Sequence, residues 1–200
     1  SSLVRTIVMA TTTQDIGQVI NRGDLSNFLV KPLNFFRYYM ARDVGDKILN
    51  MTFSIFEVTL LFFILRPPIF IQTNSMYLGF TVLALIIGAI LFFYFSLIFS
   101  LLGFWTPDVW APRFLSAVMM EFFGGSLFPL DILPKPLYLI SQSLPFSYFI
   151  FFPLKVYLGQ LSILSIGYGL LIGSLWILGL WYVVSVAWRR GLRVYTAEGK

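Results

Sequence analysis

The sequence predicts an all-α, polytopic helical membrane protein with about four transmembrane helices, a cytoplasmic amphipathic elbow and a re-entrant outer hairpin. Two observations predict this class. Hydrophobic residues make up 58% of the 200 residues and charged residues only 12%, whereas a soluble domain carries about 25% charged residues. The apolar residues also gather in windows of about 20 residues, the length that a helix needs to cross about 30 Å of hydrocarbon.

The composition excludes several classes of function. The chain has no Cys and no His, which excludes disulfides, thiolate chemistry, imidazole metal sites and histidine catalysis. A net charge of +5 would raise nucleic acid as a partner of a soluble protein, but here the basic residues flank apolar segments. We therefore interpret them as determinants of membrane topology, and we expect no nucleic-acid partner, no metal and no cofactor.

Residues 1–20 are the first predicted element. Their apolar side chains recur at helical spacing, and the segment lacks the apolar core of a signal peptide. We interpret it as the end of a helix whose beginning is missing. The side chains on the predicted face are Leu3, Val4, Ile7, Val8, Ile16 and Ile20.

Residues 22–47, "RGDLSNFLVKPLNFFRYYMARDVGDK", mix charges with aromatic and aliphatic side chains. Apolar residues at steps of three and four predict two amphipathic helices, about 24–31 and 32–47, which meet at a proline elbow. Asp24 is the candidate N-cap of the first helix, and Pro32 is placed in the first turn of the second, where its missing N–H does no harm. The pattern fits a helix lying on the lipid surface and also a docking helix for a cytoplasmic partner.

Residues 48–200 are the predicted transmembrane domain. Four windows are apolar enough to span, at about 48–65 (ended by Arg66-Pro67-Pro68), 76–103, 112–130 and 162–188. Prolines cut the intervening segment 131–160 into pieces of eight residues or fewer, and a proline inside a helix costs about 3 kcal/mol. This segment is therefore predicted to be two short helices that dip into one leaflet and return. Its prolines are Pro134, Pro136, Pro145 and Pro153.

The distribution of Lys and Arg predicts the orientation. With four spans and an internal start, 11 basic residues lie inside and 3 outside, whereas a crossing at 137–152 would change these numbers to 8 and 6. The positive-inside rule favours the first arrangement, with both visible termini in the cytoplasm. The inner residues are Arg5, Arg22, Lys31, Arg37, Arg42, Lys47, Arg113, Arg189, Arg190, Arg193 and Lys200, and the outer ones are Arg66, Lys135 and Lys155.

Two acidic residues stand inside apolar windows, Glu57 and Glu121. A charge at the bilayer centre costs at least about 2.5 kcal/mol, so such residues usually face protein or water. A carboxylate that lines the substrate path or gate is one reading, and a hydrogen bond between helices is the other. Gly124 and Gly125 follow Glu121 and permit the close approach of a neighbouring helix.

Three motifs together resemble one family of membrane proteins. The stretch "INRGDLSNFLVKPLNFF", the proline-rich "LFPLDILPKPLYLISQSLPFSYFIFFPLKVYLGQ" and the tail "WRRGLRVYTAEGK" are similar, in this order, to ABC type-2 transporter permeases, in particular to the six-span bacterial ABC-2 family transporter protein group. Members of that group carry two further spans upstream, which agrees with an incomplete first helix.

The resemblance implies a function and a set of site residues. It implies a permease subunit in the bacterial inner membrane, which pairs with a second permease subunit and binds separate ATP-binding-cassette ATPase subunits. Residues 22–31 would be the coupling helix that docks in the ATPase, and the proline-broken 129–160 segment would cap the exit path. The predicted docking residues are Gly23, Asp24, Leu25, Phe28, Leu29, Lys31 and Pro32.

The leading hypothesis is therefore an exporter that moves a lipophilic or amphipathic compound by alternating access. The chain has no G-x-x-x-x-G-K-[ST] phosphate loop, so ATP hydrolysis is expected on the partner chain and this chain is not expected to be an enzyme. An ATP-independent channel or pore is the alternative, and it predicts a continuous polar stripe along the spans. A membrane enzyme ranks last, because no spacing of acidic and hydroxyl residues supports one.

Overall fold

The computed structural model describes residues 2–66 and 70–196, and this part of the chain is helical with no strand. The predicted all-α polytopic class is confirmed. Short 3₁₀ turns at Thr13–Asp15, Leu102–Phe104, Leu130–Ile132 and Pro145–Tyr148 join several of the helices. The helices are α1 Ser2–Met9, α2 Ile16–Asn21, α3 Leu25–Leu29, α4 Phe35–Leu65, α5 Ser75–Leu101, α6 Trp110–Phe123, α7 Lys135–Ser143, α8 Phe151–Tyr157 and α9 Ile163–Val194.

Three helices in the described ranges are long and apolar enough to cross a membrane: α4, α5 with its 3₁₀ extension, and α9. Each begins at a polar side chain that accepts a hydrogen bond from the first turn. Asn34 accepts from the N–H of Arg37, Asn74 from that of Met76, and Ser162 from that of Ser165. These N-caps fix where the long helices start.

The window at 112–130 does not form a fourth full span. It holds α6, whose 14 residues extend only about 21 Å at 1.5 Å per residue. The helix stops at Gly124, and Gly125 adopts a positive φ of 76°. A residue in this left-handed conformation commonly ends a helix, and glycine adopts it at the lowest steric cost. The freed carbonyl of Gly124 accepts a hydrogen bond from the N–H of Phe151 at 3.2 Å, so another part of the chain satisfies the broken end.

The N-terminal third is divided differently from the prediction. The predicted helix 32–47 and the first span are one continuous helix, α4, and Pro32 lies in the bend before its cap. The first elbow helix shortens to α3, and Asp24 makes no side-chain capping bond. The described residues 2–20 form two helices rather than one, because the intervening threonines bond locally. Thr11 accepts from the N–H of Thr13 at 3.3 Å, which competes with helix continuation.

The bundle has two distinct ends. At the first, which we call the basic end, α4 begins and both α5 and α9 end. Aromatic contacts show this: Phe35 at the start of α4 stacks on Trp188 near the end of α9, with ring centroids 4.7 Å apart. Phe104, just after α5, lies 5.8 Å from the same Trp188 ring. At the opposite end, the hairpin end, Tyr77 donates to the carbonyl of Leu161 at 3.3 Å. α5 and α9 are therefore parallel, and α4 runs antiparallel to both.

The segment 131–160 enters the bundle from the hairpin end and returns to it. Near its tip, the carbonyl of Tyr148 lies so close to the middle of α5 that a Cβ on Gly88 would be 2.7 Å away. At its open end, Gln72 donates to the carbonyl of Tyr157 at 2.8 Å. Glycines of α9 make room for it, because a Cβ on Gly169 would overlap the Phe152 ring. The two short helices α7 and α8 form the arms of this hairpin.

Pro67 and Pro68, predicted to end the first span, lie outside the described residues, as does the end of the basic tail from residue 197.

Candidate functional site

The elbow at the basic end has one face folded into the bundle. Leu25 is fully buried and belongs to a core that includes Ile16, Phe35 and Leu101. Gly23 is also buried, with a φ of 79°. These two predicted docking residues therefore hold the elbow in place and are not available to a partner protein.

Phe28 and Lys31 form the side of the elbow next to α4. The Phe28 ring is 5.7 Å from Phe35, in an edge-on arrangement, and 5.5 Å from Tyr38. The Lys31 ammonium lies 5.9 Å from the Phe28 ring centre, within cation–π range. Aromatic packing thus fixes α3 against the start of α4, with the ammonium on its outer side.

The surface that remains is an apolar knob, which we define as Leu29, Val30 and Leu33. Their exposed fractions are 49%, 87% and 57%, and Lys31 and Pro32 between them are also exposed. Sequence reasoning selected Leu29 but missed Val30 and Leu33. The three- and four-residue spacing used there identifies the buried face of a helix, whereas this knob consists of the last residue of α3 and two residues of the bend that follows it.

In a membrane whose core is filled by the apolar part of α4, the knob would project beyond the hydrocarbon. If the apolar residues 48–65 of α4 fill the bilayer core, the preceding 13 residues of the same helix (35–47) extend about 20 Å past it along the axis. The bend at 30–33 precedes that helix end. Apolar side chains held this far from lipid tails are typical of a protein-binding surface.

Glu121 lies 11 residues after the start of α6, or about 17 Å along the helix axis, which would place it near mid-depth. It forms an ion pair with Arg5 of α1. The Glu121 side chain is 27% exposed and the Arg5 side chain 54%, so the surrounding protein covers the ion pair only partly. The geometry thus shows Glu121 in a contact between two helices. Its partner is Arg5, which the sequence analysis had placed among the inner basic residues. The pair joins α1, which leads to the elbow, to α6, which leads to the hairpin.

Gly124 and Gly125 follow Glu121 at the break of α6. Their neighbour is the start of α8: the Gly124 carbonyl accepts from Phe151, and a Cβ on Gly125 would be 3.0 Å from the Phe151 Cβ. Glu57, in contrast, is exposed on α4 and has no hydrogen bond or ion pair in the described part of the chain. The structure therefore brings Glu121 and the glycines together and leaves Glu57 apart from them.

Comparison with known families supports a transport protein. A family model described as "ABC-2 family transporter protein" matches residues 1–199. Searches of curated proteins and of solved structures give no significant match. The family match spans the elbow, the ion pair at Glu121 and the hairpin, so these features all lie within the family domain.

Proposed function

Because this chain belongs to the ABC-2 family of transporter proteins, we propose that it is the permease subunit of an exporter driven by separate ATP-binding-cassette ATPase subunits. Its cargo would be a lipophilic or amphipathic compound. The single observation that supports this most directly is the apolar knob at the basic end, because it offers a docking surface outside the membrane. By the positive-inside rule the basic end would face the cytoplasm, and in a bacterium the membrane would be the inner one.

Contacts behind the knob suit a mechanical link. A partner that moves the knob moves α3, which is anchored by buried Leu25 and by the aromatic contacts of Phe28 with α4. Upstream, Thr13 donates to Ser96 of α5 at 2.7 Å, and Ser100 donates to the Thr13 carbonyl at the same distance. Motion of the elbow would therefore reach α4 and α5 together.

A second route leads from the elbow to mid-depth. α1 precedes the elbow and carries Arg5, whose partner Glu121 stands three residues before the break of α6. Movement of α1 would therefore pull on this ion pair, and through Glu121 on the Gly124–Gly125 turn that contacts the hairpin at Phe151. We propose that Glu121, Gly124 and Gly125 form a gate that responds to the elbow, whereas Glu57 contributes to another surface of α4.

The exposed surface of α4 is the proposed contact with a second permease subunit. The most apolar window of α4 has 0% of its residues buried, against 39% for α5 and 17% for α9. Glu57 on this helix has no ion-pair partner among the described residues, and an acid in an apolar segment favours contact with protein rather than lipid. Two such subunits would enclose a path that opens to alternate sides as the ATPases close and separate.

The experiment that tests the docking role replaces the knob by charge. The triple variant Leu29→Asp, Val30→Asp, Leu33→Asp is co-expressed with the proposed ATP-binding-cassette ATPase partner, and ATPase capture and nucleotide-driven transport are measured. Both are expected to be lost while membrane insertion and thermal stability are retained, since all three side chains are exposed. Leu25 is left intact because burying a charge there would unfold the elbow.

Val194→Asp is the matched control, because Val194 is 47% exposed at the basic end but lies on α9, outside the knob. Undiminished ATPase capture by the triple variant would contradict the docking role.

A further inference from the structure

A second feature of the basic end is a cavity of about 450 Å³ between α2, α5 and α6. Its outer rim is polar and includes Gln18 and Asn21, while its inner wall includes Phe92, Phe95 and Met120. Phe92 lies 12 residues before Phe104, or about 18 Å deeper along the helix. The cavity is thus polar near the membrane surface and apolar toward the bilayer centre.

Arg113 supplies a positive charge on the wall of this cavity. Its Nη2 donates to the Ser100 hydroxyl at 2.9 Å and to the carbonyl of Gln14, both uncharged. Its Nε is buried and has no acceptor in the part of the chain that the structure describes. In the described ranges no carboxylate is within ion-pair distance of this guanidinium.

Two carboxylates lie near this guanidinium without contacting it. Asp15 pairs with Arg42 at 3.1 Å. Asp108 is on the cavity wall and accepts from the N–H of Trp110 at 2.8 Å, at the start of α6. A half-buried guanidinium that has no carboxylate in direct contact is costly. The charge also lies in the first turn of α6, where the helix dipole disfavours a cation.

A purely topological role would not require this position. Arg189 and Arg190 at the same end are exposed and meet the positive-inside rule without burial. Arg113 instead turns its charge toward a space whose volume is within the range of small-molecule sites.

We propose that this cavity binds an amphipathic anion, with the anionic head on Arg113 and the apolar chain along Phe92 and Phe95. The head can be a carboxylate or a phosphate, carried by a free amphiphile or by an anionic lipid. That the cavity loads the exported compound rests on the proposed function, whereas binding itself does not.

The test measures quenching of tryptophan fluorescence, because Trp110 lies on the cavity wall. The purified full chain in phosphatidylcholine nanodiscs is titrated with brominated dodecanoate and, separately, with a brominated dodecyl trimethylammonium of the same length. Saturable quenching by the anion alone is expected, and Trp110→Phe should remove it. Arg113→Gln should weaken the binding by about 10- to 100-fold, as expected for a hydrogen bond to a charged group.

A second variant keeps the proposal testable if Arg113→Gln fails to fold. Ala117→Phe adds bulk to the cavity wall and should abolish the quenching, whereas Ala111→Phe is the matched control on the exposed surface of the same helix outside the cavity. Arg189→Gln is the charge control and should leave the affinity unchanged.

Equal quenching by the cationic and anionic probes, or unaltered binding in Ala117→Phe, would overturn the proposal. Replacing part of the phosphatidylcholine by phosphatidylglycerol identifies the source of the anion: competition assigns the site to a lipid headgroup, and its absence assigns it to a free amphiphile. No ATPase is present in this assay, so failure of the docking experiment leaves its result intact.

Discussion

The phenolic O–H of Tyr195 donates to the backbone carbonyl of Gly23 at 2.5 Å, and the Tyr195 oxygen accepts from the N–H of Ser26 at 3.1 Å. One side chain at the end of α9 thus binds both sides of the turn that precedes α3. Its ring also packs edge-on to Phe104, 6.1 Å away. The elbow that carries the knob is therefore attached to the last long helix as well as to α4 and α5.

Tyr195→Phe should loosen the elbow without unfolding the bundle. The variant loses hydrogen bonds that contribute about 1 kcal/mol each, while the ring packing is retained. Trypsin cleavage after the exposed Arg22 should become faster, and the thermal midpoint should fall by a few degrees. Tyr182→Phe is the control, since Tyr182 is 65% exposed on the same helix; equal cleavage rates in the two variants would show that Tyr195 does not hold the elbow.

The ion pair of Arg5 and Glu121 should appear as coupling in a double-mutant cycle. Either single change to Gln leaves one charge unpaired at mid-depth, where insertion scales give about 2.5–3.5 kcal/mol. The double variant should be more stable than the two single losses predict, with a coupling of about 1–3 kcal/mol. Unfolding free energies in mixed detergent micelles measure this.

A parallel cycle of Arg5→Gln with Glu57→Gln provides the control for that coupling. Glu57 has no ion pair in the described residues, so its effects should add to those of Arg5. Additive behaviour of the Arg5 and Glu121 pair as well would contradict a stabilising interaction between these two side chains.

Gly169→Ala should displace the hairpin from α9. A Cβ at this position overlaps the Phe152 ring, and overpacking of this kind costs about 1–3 kcal/mol. Gly179→Ala is the matched change, since no atom lies within 4 Å of a Cβ there and Ala favours the helix by up to about 1 kcal/mol. The two variants should shift the thermal midpoint in opposite directions, and equal shifts would contradict the close packing of the hairpin.

Lys47→Met should be the most damaging of these single changes. The Lys47 ammonium bonds to the Asp43 carboxylate at 2.6 Å and to the carbonyl of Ala10, and the Asp43 side chain is only 5% exposed. Removing the cation leaves a buried carboxylate whose Oδ1 already lacks a partner, at a cost of about 3–5 kcal/mol.

Adding Asp43→Asn to Lys47→Met should recover part of that loss, because the buried group is then neutral. Thermal unfolding of the two variants measures the difference. No recovery in the double variant would mean that Lys47 acts through Ala10 rather than through Asp43.

Local pattern predicted much of this fold. The hydropathy of 48–65, 76–103 and 162–188 places the three long helices, because a helix in lipid satisfies its own backbone and needs only length and apolar side chains. The prolines of 131–160 predicted the short helices for an equally local reason, the missing N–H. The prediction of a full span at 112–130 was wrong because hydropathy carries no information about the backbone of Gly125. Its positive φ accompanies the packing of Phe151, a distant residue, against this turn.

The sequence by itself determined the membrane class, the long helices, the broken hairpin segment and the family resemblance, since each depends on residues close together in the chain. Only the tertiary structure decided that Leu25 is buried and Val30 exposed, that Glu121 meets Arg5, and that Arg113 borders a cavity. These facts depend on contacts between residues far apart in the chain, such as the 116 positions between Arg5 and Glu121. Such contacts form only when helices pack, and helical spacing shows that a face is apolar without showing what covers it.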